Sequence, residues 1–518
     1  MNDEGCYWNQ PTRLREEPNK IMNIYKLLFK AQISIFFIVL LFSLYSACWA
    51  ANYYVDVTNG NDSNNGLSET TAWKTIAKVN ASKFNPGDQI LFKRGNVWRE
   101  QLTVPSSGAA GQPVTFGAYG SGDNPVIKSF PVRVISKDFV IIENIKLSGS
   151  NYSAIFINNI SKTGNHKLRN LTIEACAGNG VTIYSSNNNT IEFCTISNVG
   201  RHGIRLYLKN SSVKATGNVF SNNVIHNVFG RGITIYGYSD KARIKSNSAY
   251  RNTIYSCGDG IYLTYADNNK IFDNTLYSNN NTKSAGEGYG VGVCSSSNNE
   301  IYENKIHNNR TRGIEVWGGA KPWGRSDGNK IYRNEIYSHT GSDVFGIFFS
   351  SAYSNNNEVF NNIVRENKSG IVIGHVNSGN KLFNNTFYGN IGNALSFYNN
   401  AAGWDLKNNI FSGNGQYALN APANTKITHT HNLYFKLKGD VVKYNNIVYS
   451  LPNITSFEPT AIGVNPNFTN PSNKDFHLQA NSPCIDRGVN VGLTHDFYGT
   501  PVPRGKGFDV GAIEYKSH

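Results

Sequence analysis

Acidic side chains are scarce in this 518-residue chain: 35 Asp and Glu face 49 Lys and Arg, for a formal net charge of +14. Residues 1–50 contain five basic and four acidic groups, so the remainder still carries +13. A surplus of that size favours a polyanionic partner. The basic residues are spread along the chain rather than gathered in one stripe, which argues against nucleic acid. Cysteine is also sparse. Beyond residue 50 there are only Cys176, Cys194, Cys257, Cys294 and Cys484, an odd, scattered set that excludes a disulfide framework. No Cys/His spacing suggests zinc, and His429-Thr430-His431 is read as ladder or turn. A helical period is missing between the apolar stretches, so polar turns rather than helices join them.

What is present is repetition. Asn223, Asn247, Asn274, Asn304, Asn334, Asn362, Asn385 and Asn409 share one pattern (apolar, any, polar, Asn, any, apolar), at intervals of 24, 27, 30, 30, 28, 23 and 24 residues. Such a period signals a solenoid whose repeats bury their apolar faces only against their neighbours. A second signature follows each Asn: Gly and then alternating apolar residues, as in GIRL (203–206), GITI (232–235), GIYL (260–263), GVGV (290–293) and GIEV (313–316). Strict alternation rich in Val and Ile is a strand with one buried face. Each repeat therefore holds at least two short strands, and like strands stack about 4.8 Å apart into long parallel sheets. The asparagines are expected to bond up and down a ladder at a tight turn, where Asn tolerates left-handed geometry.

These features resemble the right-handed parallel β-helix superfamily, which includes the pectate lyases. The resemblance covers roughly residues 130–450 and implies an all-β, single-stranded parallel β-helix with N- and C-terminal caps. A leucine-rich repeat is excluded, because its Leu-x-Leu-x-x-Asn frame and helical return are missing. Residues 1–21 read as an over-extended start before Met22. Residues 22–50, with Lys26 and Lys30, the apolar run 33–44 and SACWA at 46–50, read as a signal peptide or an N-terminal anchor. Residues 51–130 are expected to form the N-terminal cap and first coils, 131–450 the repeats, and 451–518 the C-terminal cap. Asp486, Asp496 and Asp509 in that tail are read as structural. The product is expected to be a secreted or cell-surface monomer, touching a membrane only through residues 33–48 if they are retained.

In a β-helix the inward residues are committed to the core, so chemistry must sit on outward side chains and turns. Counting from each Gly, the outward positions hold Arg205, Tyr207, Tyr236, Tyr262, Glu315 and Trp317. With Lys321 from the insertion 318–328, these are the expected substrate-binding residues: aromatic rings suit sugar faces and Arg grips carboxylates. The position before each Gly holds His202, Arg231, Asp259 and Arg312, and the insertion 279–289 adds Glu287. These five are the expected catalytic residues, with Arg231 and Asp259 one coil apart. The substrate implied is an acidic polysaccharide. In β-elimination a cation neutralises the uronate and a base removes the C5 proton, with Ca²⁺ expected on Asp259 and Glu287. In hydrolysis two carboxyl groups flank the bond. The sequence ranks elimination first, hydrolysis second, and a non-catalytic adhesive solenoid third. The paired aspartates of polygalacturonases and the Asp-Pro-His of alginate epimerases are both absent.

Overall fold

The chain divides at Ala50 into two units. The computed structural model describes Met22, Ala50 and residues 51–518, apart from 160–163, 209–213, 281–286, 340, 342, 399–400 and 517–518. The expected start, signal and anchor thus lie outside the described residues, save Met22 and Ala50. No described helix is long and apolar enough to cross a membrane.

From Ala51 onward the chain is a parallel β-helix. Each coil visits three sheets in turn, and these contain 15, 14 and 15 strands. The first sheet runs from Asn52–Val55 to Lys426–Thr430, the second from Val97–Trp98 to Leu433–Phe435, and the third from Leu102–Thr103 to Ile447–Tyr449. Their pairings are parallel except for the hairpin Val442–Tyr444 with Ile447–Tyr449, which ends the third sheet. Many strands of the first two sheets are three residues long and turn one apolar side chain inward. Ile271, Leu276, Ile301, Ile306, Ile331 and Ile336 are all fully buried, and such residues merge into one core from Val55 to Phe457.

The corners explain why so short a strand suffices. Between the first and second sheets, Asn223, Asn252, Asn274, Asn304, Asn334, Asn362, Asn385, Asn409 and Asn432 form a buried ladder, each amide donating to the next carbonyl oxygen at 2.9–3.1 Å. Two more ladders run up the other corners, one through Asn189, Asn218, Asn247, Asn269, Asn299, Asn329, Asn357 and Asn380. The other passes through Asn279, Asn309, His339, Asn367, Asn390 and Asn414. The expected column therefore needs a correction: Asn247 belongs to a different corner, and Asn252 takes its place. The six-residue pattern occurs at both ends of a three-residue strand, so the pattern alone does not say which corner an asparagine holds. The left-handed residue is also not the ladder Asn but the one before it, as at Asn222, Asp273, Glu303, Arg333 and Asn361.

Both ends are closed. The helix Ile76–Ala81 buries Ile76 and Val79 over the first coil, as the sequence led us to expect for an exposed solenoid end. At the other end Glu458, wholly buried, terminates the first ladder by accepting the backbone and side-chain N–H groups of Asn432 at 2.7 and 3.0 Å. The tail then folds back along the first-to-second corner, where Arg333, Asn361, Asn384 and Asn408 donate to its carbonyls. Asp496 and Asp509 each accept backbone N–H bonds within the tail, which suits their structural reading. His429 stacks on Phe457 at 4.1 Å and so belongs to this closure.

Candidate active site

The outer face of the third sheet is where regularity breaks. Its strands Ile204–Tyr207, Arg231–Tyr236, Asp259–Thr264, Tyr289–Cys294 and Arg312–Trp317 alternate as expected. Ile204, Leu206, Ile233, Ile235, Ile261, Leu263, Val291, Val293, Ile314 and Val316 are all fully buried. The outward register reads Arg205, Thr234, Tyr262, Gly292, Glu315 and Phe348 in successive coils. Gly292 leaves a gap in that row. A β-carbon there would lie 2.3 Å from the Tyr262 ring, so the ring lies directly over the glycine backbone. The result is a cleft of about 480 Å³ lined by Tyr262, Glu287, Tyr289, Arg312, Glu315 and Trp317 among others.

Asp259 stands at the edge of this region and is fully occupied. One carboxylate oxygen accepts the backbone N–H groups of Glu287, Gly288 and Tyr289 at 2.9, 2.9 and 3.1 Å. The other accepts Arg231 Nε at 3.0 Å, and the residue is 0% exposed. The expected Arg231–Asp259 neighbourhood is thus real, but it is an anchor for the insertion's end. Asp259 has no face open to a substrate, which corrects its expected catalytic role. Both carboxylate oxygens that a cation shared with Glu287 would use are thus already hydrogen-bonded. No group of three or more His, Cys, Asp or Glu suited to a metal ion occurs among the described residues. Arg231 is held from its other side as well, with its guanidinium 3.7 Å from the Tyr262 ring centroid.

The carboxyl groups that do reach the cleft are Glu315 and Glu287. Glu315 is only 8% exposed. Burial raises its pKa to about 7; Arg312 and Ser350 oppose that rise and the Glu287 charge adds to it. Arg312 Nε lies 2.9 Å from Glu315 Oε2, off the hydrogen-bond axis, so the contact is one of charge without a hydrogen bond. Aromatic rings hold that guanidinium, with the Tyr289 and Phe348 centroids 5.6 and 5.0 Å away. Glu287 is solvent-exposed and accepts the Tyr289 hydroxyl proton. Its backbone is pinned by Asp259 and by the Thr311 hydroxyl, which donates to the Glu287 carbonyl at 2.8 Å.

The remaining expected residues divide. His202 Nδ1 accepts the Arg231 backbone N–H at 3.1 Å. Burial, followed by the charges of Arg231, Arg205 and Arg201, lowers its pKa to about 3, so it is neutral and spent as an acceptor. Tyr207 and Tyr236 form an outward row with Tyr184, ring centroids 5.4 and 5.5 Å apart. Arg205 lies 4.5 Å over the Tyr207 ring. Trp317 meets Trp323 edge-on at 5.9 Å, and Lys321 lines a neighbouring cleft with Trp323 rather than the Glu315 cleft. Residues 281–286 of the insertion lie outside the described residues. The sequence reading missed Gly292 as the origin of the cleft, although its place in the outward row was visible as an absent side chain between Tyr262 and Glu315.

Comparison with known proteins gives the fold and a short stretch of sequence likeness. The family described as "Right handed beta helix region" matches residues 127–252 and 243–336. A lacto-N-biosidase of Bifidobacterium longum subsp. longum is 40% identical over 87 residues, which is 16% of this chain and 5% of that protein. Among solved structures, a GH136 lacto-N-biosidase from Eubacterium ramulus aligns over 74% of this chain and 67% of its own, with 16% identity and a TM-score of 0.46. The A-module of the Azotobacter vinelandii mannuronan C-5 epimerase AlgE6 aligns over 64% of this chain and 90% of its own, with 17% identity and a TM-score of 0.46.

Proposed function

We propose that this right-handed parallel β-helix protein is a carbohydrate-active enzyme that hydrolyses a glycosidic bond of an acidic polysaccharide in the Glu315 cleft. The carrying observation is the pair of carboxyl groups that open on one cleft in contrasting surroundings, Glu315 buried beside Arg312 and Glu287 exposed. Glycoside hydrolysis asks for such a contrast, one group protonated and the other ionised. In this reading Glu315 gives its proton to the leaving oxygen. Glu287, oriented by Tyr289, acts on the opposite face of the sugar as base or nucleophile. The likeness to a lacto-N-biosidase over 87 residues is consistent with a glycosidase, though it touches only 5% of that protein.

Elimination, ranked first from sequence, finds less support. It needs a cation or base free to reach the uronate. Arg231 faces the Asp259 carboxylate at 3.0 Å, Arg312 lies 2.9 Å from the Glu315 carboxyl group, and His202 already accepts a backbone N–H. The test is to incubate the protein with a panel of uronans, glycosaminoglycans and neutral oligosaccharides and to follow reducing ends together with absorbance near 235 nm. Reducing ends without new absorbance support hydrolysis, and unsaturated ends would replace it with elimination. With Glu315 as acid, the rate should fall as pH rises through about 7, because the donor loses its proton there.

A further inference from the structure

A second cleft lies on the same face of the third sheet, toward the N-terminal end, and no role has yet been given to it. It measures about 760 Å³ and is lined by Arg133, Tyr152, Phe156, Asn179 and Arg201 among others. Its arginines differ from those around Glu315. Arg231 and Arg312 face carboxylates. Arg133, Arg201 and nearby Arg205 have no carboxylate partner among the described residues, and Arg133 and Arg201 are exposed. Tyr152 is 73% exposed, an unusual position for a large ring.

The two clefts are joined. Phe156, Tyr184, Tyr207 and Tyr236 follow one another in four consecutive coils, with ring centroids 6.3, 5.4 and 5.5 Å apart. The row ends in the coil before Tyr262. From the strand of Phe156 to that of Glu315 the third sheet advances six coils, or about 29 Å at the spacing of paired strands. A mono- or disaccharide does not span that distance, but a longer chain lying along the sheet does.

We infer that the Arg133–Tyr152–Arg201 cleft is a distal binding site for a uronate residue of the polysaccharide chain whose cleavage occurs at Glu315. The assignment rests on the proposed function for the second cleft, but the binding it predicts does not require turnover. Charge selects the ligand: unpaired guanidinium groups match a planar carboxylate through two parallel N–H bonds. The sugar ring rests against Tyr152 and Phe156. The acidity of the substrate is thus read far from the cleft that cuts it, where Arg312 already faces the Glu315 carboxyl group.

The test uses the full chain carrying Glu315→Gln, so that no probe is consumed. Hexagalacturonate, its fully methyl-esterified form, digalacturonate and a sulfated hexasaccharide of neutral sugars are titrated by calorimetry. Hexagalacturonate is expected to bind. Its methyl ester should bind at least about 10-fold more weakly, as loss of charge-assisted hydrogen bonds implies. Digalacturonate should also bind more weakly, because it is too short to follow the aromatic row beyond the distal cleft. The double substitution Arg133→Ala/Arg201→Ala should weaken hexagalacturonate binding by about 10- to 100-fold with the thermal melt unchanged, since both side chains are exposed. Equal binding of the acid and its ester, indifference to the double substitution, preference for the sulfated probe, or no binding of hexagalacturonate would each overturn the assignment. Binding as described, together with an unmodified protein that cleaves nothing, would instead sink the hydrolase reading and leave the distal site standing.

Discussion

The outer faces of the first and third sheets begin from the same material and end differently. On the first sheet Tyr250, Phe272, Tyr302, Tyr332 and Phe360 stack in five successive coils, with centroids 4.8 Å apart and planes within 14° of parallel. Beside them Glu358 meets Lys381 at 2.8 Å and Lys330 at 3.9 Å. Like residues on like strands satisfy one another, and the cleft of about 520 Å³ on this face lies where the tail residues 491–495 meet Tyr332, Glu358 and Phe360 rather than at a break in the stack. On the third sheet the row Tyr184, Tyr207, Tyr236 starts the same way and then gives way to Thr264, Cys294 and Trp317. The neighbouring row loses a side chain altogether at Gly292. On the third sheet it is mismatch between successive coils that opens the cleft, and it leaves groups such as Glu315 without a full set of partners.

The strongest way to break that contrast is at Glu315. Glu315→Gln keeps the shape of the side chain but removes the proton donor, and turnover should fall by about 10³-fold, or ~4 kcal/mol of transition-state stabilisation. Stability should move the other way. The folded pKa of Glu315 lies above its ordinary value, so its contribution is full below about pH 4.5 and is lost as pH rises through about 7. The Gln variant should therefore melt at higher temperature than the native protein at pH 8 but not at pH 4. A variant that instead melts lower than the native protein at pH 8 would mean that Glu315 is an ordinary ion-pair partner of Arg312.

Next in size is the regular part of the molecule. Asn304 donates to Asn334 Oδ1 and to the carbonyls of Ile271 and Tyr302, and accepts both N–H groups of Asn274. Asn304→Ala leaves several of these groups buried and unpaired, at a cost of about 1–3 kcal/mol by denaturant titration. Turnover of the folded fraction should be unaffected, because the ladder corner lies away from the cleft. Gly292→Ala should be milder for stability and harsher for activity. Its new methyl meets the Tyr262 ring at 2.3 Å, and relieving that overlap should destabilise by about 1–2 kcal/mol while moving the ring that walls the cleft. Unchanged turnover would show that the gap at Gly292 is incidental.

The sequence revealed the architecture well because the same constraint is written many times. Each coil repeats one inward apolar residue per short strand and one polar inward residue per corner, so an error in a single repeat is outvoted by the others. Asn247 shows the limit. Its pattern fits two corners of the coil equally, and only the hydrogen bonds decide. The site was legible as a set of rows and not as a set of roles. Repeat register placed Arg231 one coil from Asp259, and alternation put Tyr262 and Glu315 on one outward row, both as found. What it did not carry was the turn geometry by which three backbone N–H groups claim Asp259. Glu315, expected only to bind, gains its chemistry from burial, and burial on an outward face depends on loops that strand periodicity does not describe.

The smallest effect separates the two aromatic rows. Tyr302 sits inside the first-sheet stack with rings on both sides, at planes 1° and 5° from parallel. Tyr236 ends its row, with Tyr207 on one side only and tilted by 37°. Each stacked aromatic pair is worth about 0.5–1.5 kcal/mol beyond burial. Tyr302→Leu, which keeps an apolar side chain but removes two such contacts, should therefore cost roughly twice what Tyr236→Leu costs in denaturant titrations. In binding the order should reverse. Tyr302 lines neither the Glu315 cleft nor the Arg133 cleft, so its loss should leave affinity for a uronate oligosaccharide unchanged, whereas Tyr236 lies on the path between the two clefts and its loss should weaken it. If both substitutions behave alike in both measurements, the third-sheet row is scaffold after all, and the path along it has to be drawn elsewhere.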